Sequence, residues 1–236
     1  MIARVLLAAV IAGMIAGTAA TAIHIWRVVP LVLEAETYES ADGGAGHSHH
    51  AGEAQQSSGL QKTSKPWAPQ DGLERTVYTL MSNLVMGVAF SLILVATVMF
   101  TGRKITPQNG FVWGLLGFLV FTLAPSSGLA PELPGMPAAD LTARQLWWWG
   151  TAAATAGGVA LLLLPQNMFA RAAGIVLAAA PHIVGAPHLQ AHESAVPAAL
   201  AADFAAVSIA SMALFWIVLG VASGWLLSRA HPKMEG

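Results

Sequence analysis

Apolar residues in this chain fall into six blocks, and polar residues gather almost entirely between them. The blocks run Ile2 to Trp26, Thr76 to Thr101, Gly110 to Ala124, Leu146 to Leu164, Asn167 to Val184, and Ala198 to Ser228. A helix needs about 20 largely apolar residues to cross the hydrocarbon of a bilayer. The first block meets that length with Arg4 as its single charge near the start, and the second has no charge at all. The third is short but uncharged. The fourth opens with Trp147-Trp148-Trp149, an aromatic run that suits a membrane–water interface. The fifth is the weakest, with Arg171 near one end and Pro181 near the other. The last is long and holds one acid, Asp203, near its start, where an N-cap role is expected. The pattern predicts an all-α integral membrane protein of about six transmembrane helices, forming a single membrane domain over residues 1–236. Asn83, the polar residue inside the second block, is expected to hydrogen-bond to another helix.

Composition supports the same class. Hydrophobic residues make up 56% of the 236 and charged residues 10%, against about 25% charged in soluble domains; mean hydropathy is +0.62. A net charge of -1 gives no basic surface for nucleic acid. The absence of cysteine excludes disulfides and thiolate metal sites within this chain.

Charge in the short loops sets orientation. With the N-terminus in the cytoplasm, six crossings leave Arg4, Arg103, Lys104, Arg171, Arg229 and Lys233 inside and both termini cytoplasmic. The two shorter outer loops then hold only Arg144. The rival reading of the first block is a cleaved signal peptide, with small residues from Gly17 to Ala22. Its length and thin basic start argue against cleavage.

Three loops would then be extracytoplasmic. The first, 27–75, begins with good helix formers after Pro30, which can extend the first helix beyond the bilayer. Its middle, 40–64, is rich in Gly, Ala, Ser, Gln and His and reads as flexible. The second, 125–145, is stiffened by Pro125, Pro131, Pro134 and Pro137. The third, 185–198, holds His and Glu. Leu123-Ala124-Pro125 and Ala179-Ala180-Pro181 form a faint internal echo, each at the outer end of an odd-numbered block.

Of eight histidines, only His231 falls on the inner side in this arrangement. Neutral imidazole binds borderline divalent metals such as zinc, nickel and cobalt. His47, His49 and His50 form a tract suited to collecting metal without preformed geometry, or to serving as a plain polar linker. His182, His188, His192 and Glu193 make the sharper candidate. On a helix, His188 and His192 would share a face, and Glu193 adds an oxygen ligand. The plainer alternative is a group of interfacial histidines bonded to backbone. Glu34, Glu36 and Glu39 lie at the outer mouth of the first block, with His24 below them. They could pass a cation inward, or simply pair with Arg75. Catalytic motifs are missing: there is no His-Glu-x-x-His, no Gly-x-Ser-x-Gly and no phosphate-binding loop. No enzyme activity and no tightly bound cofactor are expected, the metal being cargo.

Several stretches carry a family resemblance. They are Pro30 to Glu39 (PLVLEAETYE), Trp67 to Thr76 (WAPQDGLERT), Phe121 to Pro125 (FTLAP), Pro131 to Gly135 (PELPG), Pro181 to His188 (PHIVGAPH), His192-Glu193-Ser194 and Val196-Pro197. With them the chain closely resembles the CbtA family, proposed as the main subunit of a bacterial cobalt transporter. The resemblance implies a multi-pass inner-membrane protein tied to cobalt supply for cobalamin synthesis. It also implies a small single-span partner, CbtB, with its own His-rich end. The resemblance carries no residue-level site, so the candidate ligands rest on the residues themselves. Importer of cobalt, importer of nickel or zinc, and metal-binding scaffold or sensor without transport all stay open, as does a homo-oligomer.

Overall fold

A computed structural model describes residues 2–45, 69–103, 105–164, 167–189 and 194–230. Among these residues every regular element is helical. In order they are α1 (Ile2–Ile23), a π turn (His24–Val28), α2 (Val29–Ala45), α3 (Leu73–Phe100), α4 (Pro107–Phe118), a second π turn (Leu119–Leu123), α5 (Ala124–Ser126), α6 (Leu141–Leu163), α7 (Met168–Val184) and α8 (Ala198–Ala230). The chain is an all-α integral membrane protein. Five helical runs are long and apolar enough to span: Ile2–Tyr38, Leu73–Phe100, Pro107–Ser126, Leu141–Leu163 and Ala198–Arg229. The fifth apolar block forms α7, a helix of 17 residues, about 25 Å long and thus at the lower limit for a span.

Helix α1 does continue past Pro30 into α2, through a π turn in which the N–H of Val29 bonds the carbonyl of His24. The second π turn works alike, with the N–H of Ala124 bonding the carbonyl of Leu119. Each π turn ends two residues before a proline, Pro30 or Pro125. Proline has no N–H and its ring collides with the carbonyl four residues back. The wider turn moves that carbonyl aside, so the helix continues. Pro181 has no such turn: it sits in regular helix, and the echo between the two proline stretches does not extend to their backbone.

Small residues set the packing. Ala9, Gly13, Gly17 and Thr21 recur every four residues on one face of α1 and are buried. They meet Asn83, Gly87 and Ser91 of α3, also spaced by four. A methyl group built on Gly17 would lie 2.5 Å from the Asn83 carbonyl oxygen, so the backbones touch. Helices α4 and α8 meet the same way through Gly110, Gly114, Gly220 and Gly224. In lipid the hydrophobic effect does not hold helices together, and close backbone approach supplies the dispersion contacts that do. Helix α1 packs on both α3 and α8, joining the two seams.

Asn83 makes the interhelical bond expected of it, donating to the Thr21 hydroxyl at 3.0 Å. An aromatic cluster closes the middle of the bundle. Trp216 is 1% exposed, stacks on Phe121 at 5.7 Å, packs on Phe90 and gives its indole N–H to Thr122.

Helices α6 and α7 form a separate antiparallel hairpin around Gly158 and Gly174. The hairpin meets the rest chiefly at one end, where α6 touches the second π turn and α5. Six alternating helices bring both ends of the described chain to the same end of the bundle, with Arg4, Arg103, Arg171 and Arg229 (the arginine end). The other is the histidine end.

Asp203 is not a cap. Helix α8 starts at Ala198, directly after Pro197, so Asp203 lies in its second turn. The caps belong elsewhere: Thr106 with Asn109 for α4, Asp140 for α6 and Asn167 for α7.

Candidate metal-capture site

The histidine end is built from α2, the 127–140 connection, the end of α7 and the start of α8. Ala35, Leu133, Val196 and Leu200 form a small buried core there. It ties the extension of the first helix to both loops. Asp140 caps α6 and so starts the helix that brings Arg144 and Trp147 to this end. Arg144 binds Glu132 at 2.7 Å across the proline-rich connection.

His182 stands in the last turn of α7, which Gly185 ends at φ 86, a conformation that suits glycine. Its Nδ1 lies 3.4 Å from the Ser127 hydroxyl. That hydroxyl already donates its single hydrogen to the Ala124 carbonyl at 2.7 Å. The contact therefore needs His182 to donate from Nδ1–H. In the neutral ring this leaves the Nε2 lone pair free, the form in which imidazole binds metal. The Trp147 ring stands edge-on to the imidazole, with 6.0 Å between ring centroids.

His188 lies beyond the helix, in the irregular stretch 185–189. The face-sharing expected of a helical His188 and His192 therefore has no helix under His188. It lines a cleft of about 600 Å³ with Gly128, Leu129, Glu132, Met136 and the first turns of α8. Both histidines lie near one short segment: His182 contacts Ser127, and His188 shares a cleft with the next residues, Gly128 and Leu129. Gly128 is needed there, because a methyl group on it would run into the Trp147 ring and sit 3.1 Å from Ala186.

The remaining candidates divide differently. Glu36 pairs with Arg75 at 3.0 Å, and Arg75 also binds Asp71 at 2.9 Å, so the pairing reading of this acidic mouth fits. Glu34 is exposed. His24 contacts the Asn83 amide at 3.3 Å through Nδ1. Since Asn83 donates from that same nitrogen, His24 accepts at Nδ1 and carries its proton on Nε2. In that form neither ring nitrogen offers a free lone pair to metal. His47, His49, His50, His192 and Glu193 lie outside the described residues. Among the described residues no three His, Asp or Glu side chains gather as a ready metal cluster.

Ser127, Trp147, Glu132 and Met136 are contributors that local pattern does not announce. The run of three tryptophans reads as one lipid anchor. Trp149 is 64% exposed and fits that role, but Trp147 faces His182 and Trp148 faces Phe121. The spacing of the three offers a signal, since consecutive helix positions turn by about 100° and cannot all face lipid.

Fold and site together define a multi-pass membrane protein with oriented imidazole at one end. Residues 2–228 match the family described as probable cobalt transporter subunit (CbtA), and the chain belongs to that family. The family is one of transporter subunits, which implies partner subunits. No curated protein and no solved structure matches the chain.

Proposed function

We propose that this chain imports a divalent transition metal, cobalt first, and captures it at the histidine end. The observation that carries the reading is the His182 ring, turned by Ser127 so that Nε2 is free, beside the cleft that His188 lines. His192 and Glu193 complete the ligand set, His47, His49 and His50 raise local metal concentration, and Glu34 and Glu36 border the approach. Family membership favours cobalt. Imidazole and carboxylate alone do not choose between cobalt, nickel and zinc, because the usual affinity order favours several metals over cobalt.

The charge pattern supports an arrangement with the arginine end in the cytoplasm of a bacterial inner membrane and the histidine end outside, which suits import. The metal would supply cobalamin synthesis, and a single-span His-rich subunit of the CbtB kind would act beside this chain.

A second reading, a metal-binding scaffold or sensor without transport, has one observation in its favour. Among the described residues, no Asp, Glu or His lies in the half of the spans nearest the arginine end. Cobalt uptake into vesicles holding this chain, with and without the partner, separates the two. Accumulation inside, competed by nickel or zinc to a measurable degree, supports import. Saturable binding with no accumulation in either preparation establishes the scaffold reading instead.

A further inference from the structure

The loose attachment of the α6–α7 hairpin leaves a second opening, at the arginine end. Helix α6 touches the rest of the bundle chiefly at the second π turn and α5, and between it and α3 and α4 lies a cleft of about 410 Å³. Its walls are almost wholly apolar, with Leu94, Val112, Leu116 and Val159 among them. Its rim is not: Arg103 stands there, exposed, just after the turn that ends α3. Arg103 also reaches across the gap to the carbonyl of Leu163, the last residue of α6, at 3.3 Å.

We propose that this cleft is a binding site for an anionic phospholipid, with one acyl chain between α3, α4 and α6 and the phosphate on Arg103. Three features lead there. The cleft lies within the spans, where water finds too few polar partners to enter and an unfilled gap loses dispersion contacts. Hydrocarbon chain is the solvent at hand. A guanidinium marks the level at which α3 ends, α4 begins and α6 ends, which is the headgroup level, and it can grip phosphate with two parallel bonds. Arg4, Arg171 and Arg229 add positive charge at the same end, which favours anionic over neutral lipid. A partner helix fits less well. At a diameter of about 10 Å, a helix segment only ~10 Å long would already fill about 800 Å³.

Such a lipid would join the hairpin to the rest of the bundle at the end where protein contacts are fewest. The site is independent of metal capture and is tested without it. The full chain is reconstituted in vesicles of phosphatidylcholine with graded phosphatidylglycerol, extracted, and weighed by native mass spectrometry. The expected result is one retained phosphatidylglycerol in preference to phosphatidylcholine. Arg103→Gln should weaken that preference about five-fold, and Ala160→Phe, which narrows the cleft, should abolish retention. A photo-crosslinker at Val159 in native membranes should label lipid. Equal retention of both lipids, retention unchanged by Arg103→Gln, or a crosslink to polypeptide would each overturn the proposal. If Ala160→Phe does not fold, the Arg103→Gln and crosslinking results decide it.

Discussion

Two halves of this molecule are held together on different terms. In α1, α3, α4 and α8, glycine backbones touch along two full seams, and an aromatic cluster around Trp216 joins them. In α6 and α7, the hairpin packs closely on itself around Gly157, Gly158 and Gly174, while its link to the other half is a few residues at each end. At the histidine end these include Phe121 with Trp148, Gly128 with Trp147, Glu132 with Arg144 and Ser127 with His182. At the arginine end it is Arg103 with Leu163. The candidate ligands follow the same division. His182 and His188 ride on the hairpin and its exit, while the surfaces they approach belong to the connection from α5. A metal held between them would therefore bear on the join between the two halves.

The largest expected effects lie at the seams. Gly87→Leu drives a side chain into the Gly13 backbone. It should lower the thermal midpoint by more than about 10 °C or prevent accumulation in the membrane. Gly158→Val should act locally. It separates α6 from Gly174 of α7, and faster hydrogen exchange should appear in the hairpin while α1, α3, α4 and α8 stay protected.

Ser127→Ala removes the acceptor that sets the His182 tautomer, and metal affinity measured by calorimetry should fall about ten-fold with little change in unfolding. Asn83→Ala removes the α1–α3 bond and should cost about 1 kcal/mol in unfolding assays, leaving metal affinity unaltered because Asn83 touches none of the proposed ligands. Replacing His47, His49 and His50 together by Ala should change uptake by less than about two-fold at saturating metal.

Much of the stronger half is legible in the sequence. Thr76 to Thr101 and Ala198 to Ser228 become spans because length and apolarity alone decide them. The helix formers after Pro30 do extend the first helix. Asn83 is readable because a lone amide in a span needs a partner. The glycine seams are less visible, since spacing by four shows a small-residue stripe but not the stripe that faces it. Asp203 misleads because Pro197 starts α8 a turn and a half earlier than the acid suggests. Around His182, local pattern names the imidazole but not its support. Ser127 lies 55 residues away, and only the folded hairpin brings it there. The π turns are hidden too, because a proline in an apolar run predicts a break as readily as a widened turn.

On the proposed reading, metal enters through the imidazoles of His182, His188 and His192. Its most direct test is cobalt uptake in vesicles by the His182→Ala, His188→Ala, His192→Ala triple variant, with His24→Gln as the control. The account predicts that the triple variant loses uptake by at least about ten-fold with an unchanged thermal midpoint, while the control retains it. Full uptake by the triple variant would contradict the account.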